Sequence, residues 1–415
     1  MSWINLARAW LTRTKKPFVF LNEYDQNLDY LSLDNLGLYI HIPFCAKICT
    51  FCPYCKTIYQ KDLADNYINA LINEIHMVGK QSKTKKQVSS LYFGGGTPCL
   101  CIDSIAPIIN TVKQYFEITD GIGIELHPQD LNSTILEKLQ QAGITKISIG
   151  IQSFDKNCQE FLGRDDAIDT KQISNLLSKY TFETVSMDFI FGIPGQTFES
   201  LKQDFEIAFE CQANHIAIYP FIEFSFYNAK PAMPLRQKRK ILNKILDYCQ
   251  QQGFGRTSIW TFSKDGGQYS SMTRQNFLGF GCSATTLLRN QFKINTFDVQ
   301  EYINRVNNNS LPTALTCRFT KHQRMIYYLF WTAYTTVINP QDFEEFFGES
   351  LRKNYGLEMT LARLLGFLKK RNNIYYLTNR GTYYFYYFER FYTLSYIDKM
   401  WNILRKQSFP KKIEL

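Results

Sequence analysis

No stretch of the 415 residues stays apolar for the roughly 20 positions that a membrane-spanning helix requires. Charges or turn residues interrupt every apolar run, so the chain is expected to be soluble, with a membrane at most a peripheral partner. No repeat at a period of roughly 20–50 residues is present, which excludes solenoids and propellers. The opening MSWINLARAWLTRTKK is too polar for a signal peptide and lacks a small-residue cleavage site; an amphipathic helix is the reading it allows. With 45% hydrophobic and 20% charged residues the chain is neither disordered nor collagen-like, and it can bury a sizeable core. The net charge of +10 comes from scattered Lys and Arg, with short clusters at Lys83, Lys85 and Lys86, at Arg236 to Lys240, and at Lys369 to Arg371. No recognition module accompanies these clusters, so no nucleic-acid partner is expected, and attraction of an anionic substrate or membrane surface is preferred.

Cysteine is the one residue type whose placement is unusual. The count of 11 is odd, and four fall within Cys45 to Cys55. A disulfide framework would not choose that spacing, whereas a metal site in a reducing compartment would, which points to the cytoplasm.

From about residue 38 to 220, short β-branched runs alternate with helical stretches, the signature of parallel strands joined by crossover helices. Six strands are predicted: 38–42, 88–93, 122–126, 144–149, 184–191 and 215–219. Helices are predicted at 63–78, with Asp62 as N-cap, and near 103–116, 131–142, 169–179, 198–211 and 236–252. The expected fold is α/β, an open partial (βα)6 TIM-like barrel with a mostly helical C-terminal domain. In that domain YYLTNRG reads as the strand and turn of a winged helix. The expected division is an N-terminal arm (1–37), a core (38–230), an extension completing the site (231–313) and the C-terminal domain (314–415). Sites in such sheets gather at the carboxyl ends of the strands.

Directly after the first predicted strand, Cys45, Cys49, Cys52 and Cys55 form C-x3-C-x2-C-x2-C. Zinc sites usually pair cysteines across a longer spacer. A short loop delivering three thiolates suits a [4Fe–4S] cube with one iron left open, so Cys45, Cys49 and Cys52 are the candidate ligands. Cys55 stands as an alternative fourth ligand. The other cysteines read as packing thiols.

The segment YIHIPFCAKICTFC (39–52) resembles the radical S-adenosylmethionine (SAM) enzymes, in the subgroup that resembles oxygen-independent coproporphyrinogen III oxidase. LYFGGGTP (91–98), IELHP (124–128), ISIGIQSF (147–154), LGR (162–164), MDFIFGIPGQT (187–197) and FLGFGCSA (277–284) follow in the same order. The resemblance implies a [4Fe–4S] cluster and SAM, in one or two molecules. It further implies a SAM pocket lined by Tyr39, Phe51, Gly95, Gly96, Thr97, Glu125, Gln152, Arg164 and Asp188, with Ile222 and Thr285 also touching cofactor. Glu125, Arg164 and Asp188 are the candidate catalytic set; His41 and His127 are polar neighbours more in keeping with structural roles. The implied chemistry is one-electron cleavage of SAM to methionine and a 5′-deoxyadenosyl radical, which calls for a flavodoxin- or ferredoxin-type donor. The implied substrate is a small molecule, flat and aromatic or tetrapyrrolic. Decarboxylation of coproporphyrinogen III, methyl transfer by a class C radical SAM enzyme to an aromatic or quinone carbon, and heme chaperoning are the three alternatives. The loop FCPYC and the stretch YSSMTRQN depart from the oxidase pattern and leave the substrate open.

Overall fold

The computed structural model describes residues 3–23, 27–164, 168–225, 233–267 and 275–415. All six predicted strands form: β1 (Leu36–Ile42), β2 (Ser90–Gly95), β3 (Ile122–Leu126), β4 (Lys146–Gln152), β5 (Thr184–Phe191) and β6 (His215–Pro220). They lie side by side in chain order, every neighbouring pair parallel. Parallel strands covered by helices are buried on both faces, which is why they read as near-continuous apolar runs. Leu38, Ile40, Ile124, Ile147 and Phe189 are all inaccessible or nearly so.

The connecting helices are α1 (Lys61–Gly79), α2 (Ile102–Tyr115), α3 (Ser133–Gln141), α4 (Lys156–Leu162), α5 (Thr170–Leu177) and α6 (Phe198–Glu210); all but the short α4 fall where periodicity puts them. In α1 the buried stripe is Tyr67, Leu71, Ile75 and Val78. Asp62 is not its N-cap. The helix begins one turn-position earlier, with Gln60 flanking it and no side-chain cap, so Asp62 lies in the first turn, where its charge meets the positive end of the helix dipole. α3, α5 and α6 are capped by the side chains of Asn132, Asp169 and Thr197.

A seventh parallel strand joins the six. β7 (Asn276–Phe280) lies beside β1 with Gly279 opposite Tyr39. Its FLGFG sequence reads as a strand-like turn, and Gly279 is required, since a Cβ there would run into the backbone of Thr285. From β7 the sheet turns antiparallel through β8 (Thr285–Leu287), β9 (Gln291–Asn295) and β10 (Thr313–Arg318). Val19–Leu21 then pairs with β10 on one side and Lys412–Glu414 on the other. With Thr261–Ser263 and Gly255–Arg256 beyond β6, this is one mixed sheet of 14 strands. The YSSMTRQN stretch lies mostly outside the described residues.

The C-terminal part is largely helical, as expected. Helices 321–334, 340–347 and 351–364 enclose their own apolar cluster of Met325, Tyr328, Leu329, Ile338, Phe343, Leu351 and Tyr355. A hairpin of Leu368–Arg371 and Ile374–Leu377 turns on Asn372 and Asn373, both at positive φ. That is the left-handed pair a two-residue hairpin loop needs. Thr378 then caps helix 379–392. Part of the aromatic run there is packing: Phe385 and Tyr386 are buried, with Phe385 against Phe330 and Tyr386 edge-on to Trp260, while Tyr384, Tyr387 and Phe388 are exposed.

Candidate functional site

Parallel register places equivalent side chains of adjacent strands on one face. Glu125 of β3 is level with Ser148 of β4, Ser148 with Ser186 of β5, and Ser186 with His215 of β6. A polar rung therefore crosses four largely apolar strands. Asp188, two residues beyond Ser186 on the same face, accepts from Ser148 Oγ at 2.8 and 2.9 Å and from Ser186 Oγ at 3.1 Å. A bulge between Met187 and Phe189 sets it out of step with β4, and bulges commonly re-aim side chains beside sites.

Burial raises both carboxyls. Asp188 is pushed up to about 6, with the two serine hydroxyls pulling the other way. Glu125 is pushed up to about 7 by burial and then by Asp188, offset by the Gly95 N–H and by Tyr92. A cation brought beside these two buried acids would favour their charged forms.

The Gly94–Thr97 turn leaves β2 against these groups. Gly95 donates its N–H to Glu125 Oε2 at 3.1 Å and sits at φ +128°, where a Cβ would meet Ile42 and His41. At Gly96 a Cβ would lie 2.8 Å from Cys45 Sγ and collide with the Phe44 carbonyl. Gly96 N–H and Thr97 N–H donate to the carbonyls of Ile42 and Phe44 at 2.8 and 2.7 Å. The glycine turn is thus laced to the cysteine loop by backbone bonds that any larger residue would break.

In that loop the Cys45 thiol is buried and pushed up to about 11, by desolvation first and then by the neighbouring Cys52 and Cys49; Lys56 and a hydrogen bond with Thr97 oppose this. Cys55 points elsewhere. Its Sγ donates to the Phe297 carbonyl at 3.2 Å and lies 3.7 Å from Cys282 Sγ. Among the described residues no three His, Cys, Asp or Glu side chains enclose a single metal ion. A cube needs its thiolates on separate irons, so they stand wider apart than the ligands of one ion.

His41 anchors the loop to β1. Its Nε2 lies 3.0 Å from the Cys55 carbonyl, which only accepts, so that nitrogen carries the proton and Nδ1 accepts from Tyr39 Oη at 3.0 Å. Burial lowers its pKa to about 4, keeping it neutral. His127 is an N-cap, accepting from Gln129 N–H.

Arg164 donates to the Gly150 carbonyl, and its guanidinium lies 5.6 Å from the centre of the Phe51 ring. Its buried Nε has no partner among the described residues. Gln152, at φ +70°, and Arg164 converge over Gly150. Left-handed backbone at a non-glycine residue is strained, and such strain collects at binding sites. Ile222 is half-buried just past β6, and Thr285, also half-buried, opens β8. Sequence reasoning missed four residues. Ser148 and Ser186 hold Asp188; the available signal was polar residues two apart, Ser186 and Asp188, inside an apolar strand. Tyr54 and Tyr219 are 55% and 41% exposed yet lie near Glu125 and Asp188, so they face the space inside the curved sheet.

Residues 39–208 match the model of the radical SAM superfamily, so the chain carries a radical SAM domain. Its cofactors are accordingly a [4Fe–4S] cluster and SAM, and the soft donors of the loop and the acids beside it suit both. The chain is 26% identical over 362 residues to the heme chaperone HemW of Bacillus subtilis, spanning 83% of this chain and 95% of that protein. It is 25% identical over 336 residues to the oxygen-independent coproporphyrinogen III oxidase of Synechocystis, spanning 71% of each. The solved structure of coproporphyrinogen III oxidase (HemN) from Escherichia coli shares the fold over 91% of both chains, with a TM-score of 0.73 at 20% identity.

Proposed function

We propose that this protein is a radical SAM enzyme acting on a tetrapyrrole, by oxidative decarboxylation of propionates as on coproporphyrinogen III. The observation that carries the radical reading is the direction of Cys55: with its sulfur held by Phe297 and Cys282, three thiolates remain for four irons. Cys45, Cys49 and Cys52 would hold the cluster. When bound, the reduced cluster supplies one electron to cleave SAM, generating the radical that takes a substrate hydrogen.

The chain's own residues would do the rest. Gly95, Gly96 and Thr97 bring backbone to the cofactor, and Glu125 offers a carboxylate to its ammonium. Arg164, with Nε unpartnered, suits its carboxylate. Asp188, pre-oriented by Ser148 and Ser186, and Gln152 offer hydrogen bonds to hydroxyls. Tyr39, Phe51, Ile222 and Thr285 would line the pocket, and Tyr54 and Tyr219 would border a flat substrate. A flavodoxin- or ferredoxin-type protein would supply the electron. The division at residues 37, 230 and 313 is kept as the proposed domain plan.

A second reading, a heme chaperone, is favoured by one observation: the alignment spans 95% of the B. subtilis chaperone but 71% of the Synechocystis oxidase. Anaerobic reconstitution with SAM, a reductant and coproporphyrinogen III separates the cases. Carbon dioxide and 5′-deoxyadenosine are expected. S-adenosylhomocysteine alongside 5′-deoxyadenosine would mean methyl transfer, and stoichiometric heme binding without SAM cleavage would mean a chaperone.

A further inference from the structure

Helix 351–364 turns a row of leucines outward. Leu357, Leu361 and Leu364 fall at i, i+4 and i+7, with Leu365 just beyond, and all four are exposed, Leu364 at 79%. At 100° per residue they share one face of the helix. The row forms a continuous exposed apolar face rather than scattered single residues.

The face has a basic rim. Arg363, Lys369, Lys370 and Arg371 line a cleft with Leu364 and Leu368, and among the described residues none of the four pairs with a carboxylate. Glu358, the acid of this helix, is buried in an ion pair with Arg13 at 2.5 Å. That pair brings in the N-terminal helix Trp3–Leu11. Arg13 lies over the rings of both Trp10 and Tyr355, and Tyr355 Oη donates to the Leu11 carbonyl at 3.0 Å. Leu6 and Trp10, one turn apart on that N-terminal helix, are also exposed, and Lys15 and Lys16 follow. The amphipathic start of the chain is thus tied to the outward helix of the C-terminal part, and the two joined elements carry exposed leucines, a tryptophan, and Lys and Arg that pair with no carboxylate among the described residues.

We propose that this surface docks the protein on anionic lipid bilayers. Leucine and tryptophan would enter the headgroup boundary while Lys369, Lys370, Arg371, Arg363, Lys15 and Lys16 meet lipid phosphates. A bilayer fits better than duplex DNA. The outward face of helix 351–364 carries leucines where a helix in the major groove needs polar side chains for base edges. Among the described residues no helix is long and apolar enough to cross a membrane, so attachment is to the surface. The proposal does not depend on which reaction the site performs.

The test is co-flotation of the full chain, with its cluster reconstituted anaerobically, on phosphatidylglycerol-containing and on pure phosphatidylcholine vesicles. Binding to the anionic vesicles alone, falling as salt rises, is expected. Leu361→Glu/Leu364→Glu, and separately Lys369→Glu/Lys370→Glu, should weaken it roughly tenfold or more with iron content and circular dichroism unchanged. Absence of flotation, equal binding to neutral vesicles, or binding indifferent to both variants would overturn the proposal. So would duplex DNA binding or concentration-dependent dimerisation, lost in the leucine variant, in protein that ignores vesicles.

Discussion

The parallel half of the sheet and the C-terminal helical unit are built on opposite plans. In the first, apolar strands carry a polar rung of Glu125, Ser148, Ser186 and His215 into the interior, and Asp188 joins it at a bulge. Burying such groups costs free energy unless each is partnered. In the second, Phe343, Tyr328 and Phe347 pack ring against ring, the buried acid Glu358 is held in an ion pair with Arg13, and a row of leucines faces outward. Stability is given up inside the sheet to prepare a binding site, and outside the helical unit to leave a surface sticky.

The comparison can be broken most decisively at the cysteines. Ala at Cys45, Cys49 or Cys52 should abolish both the cluster's visible absorbance and all SAM cleavage; an active Cys49→Ala protein would remove the sheet's claim to be the working half. Next in size, Phe343→Ala should cost about 3–5 kcal/mol in denaturant unfolding of the C-terminal unit while iron content and SAM affinity of the folded protein stay unchanged. Loss of SAM binding there would show that the two regions are not separable. Smaller still, Glu125→Gln and Arg164→Ala should each weaken SAM binding about tenfold, about 1.4 kcal/mol, without releasing iron, as read by equilibrium dialysis.

The smallest effect is in pH. Glu125 near 7 and Asp188 near 6 hold protons more tightly folded than unfolded, where carboxyls titrate near roughly 4. The folded state then binds more protons in between, so these groups penalise the cofactor-free fold above pH 7, and the penalty is relieved as pH falls through 7 and then 6. Thermal melts of the apo-protein should show stability rising in that direction, with a flatter slope in Glu125→Gln. SAM affinity should run the opposite way, since protonation removes the charge that meets its ammonium.

These regions also differ in how far they can be read from residues alone. The six strands and the crossover helices other than α4 follow from local periodicity, and YIHIPFC, LYFGGGTP, IELHP, ISIGIQSF and MDFIFGIPGQT run off the carboxyl ends of strands, while LGR closes α4. FLGFG reads as strand-like, but the place of β7 beside β1 was not legible because that pairing bridges more than 200 positions of chain. The cysteine trio and Glu125 were legible because their chemistry is concentrated in short motifs. Ser148 and Ser186 were not, because a serine in a strand announces nothing until register sets it beside an acid. Tyr54 and Tyr219 come together only through curvature of the sheet, and Cys55 was left open because its direction is decided by Phe297 and Cys282, far along the chain.

The central claim is that three thiolates of one loop leave an iron accessible beside Glu125 and Asp188. The electron paramagnetic resonance spectrum of the reduced, anaerobically reconstituted protein, recorded before and after adding SAM, tests this most directly. A change in the cluster's signal on SAM addition, preserved in Cys55→Ala, is expected; a signal indifferent to SAM, or a cluster lost with Cys55, would contradict it.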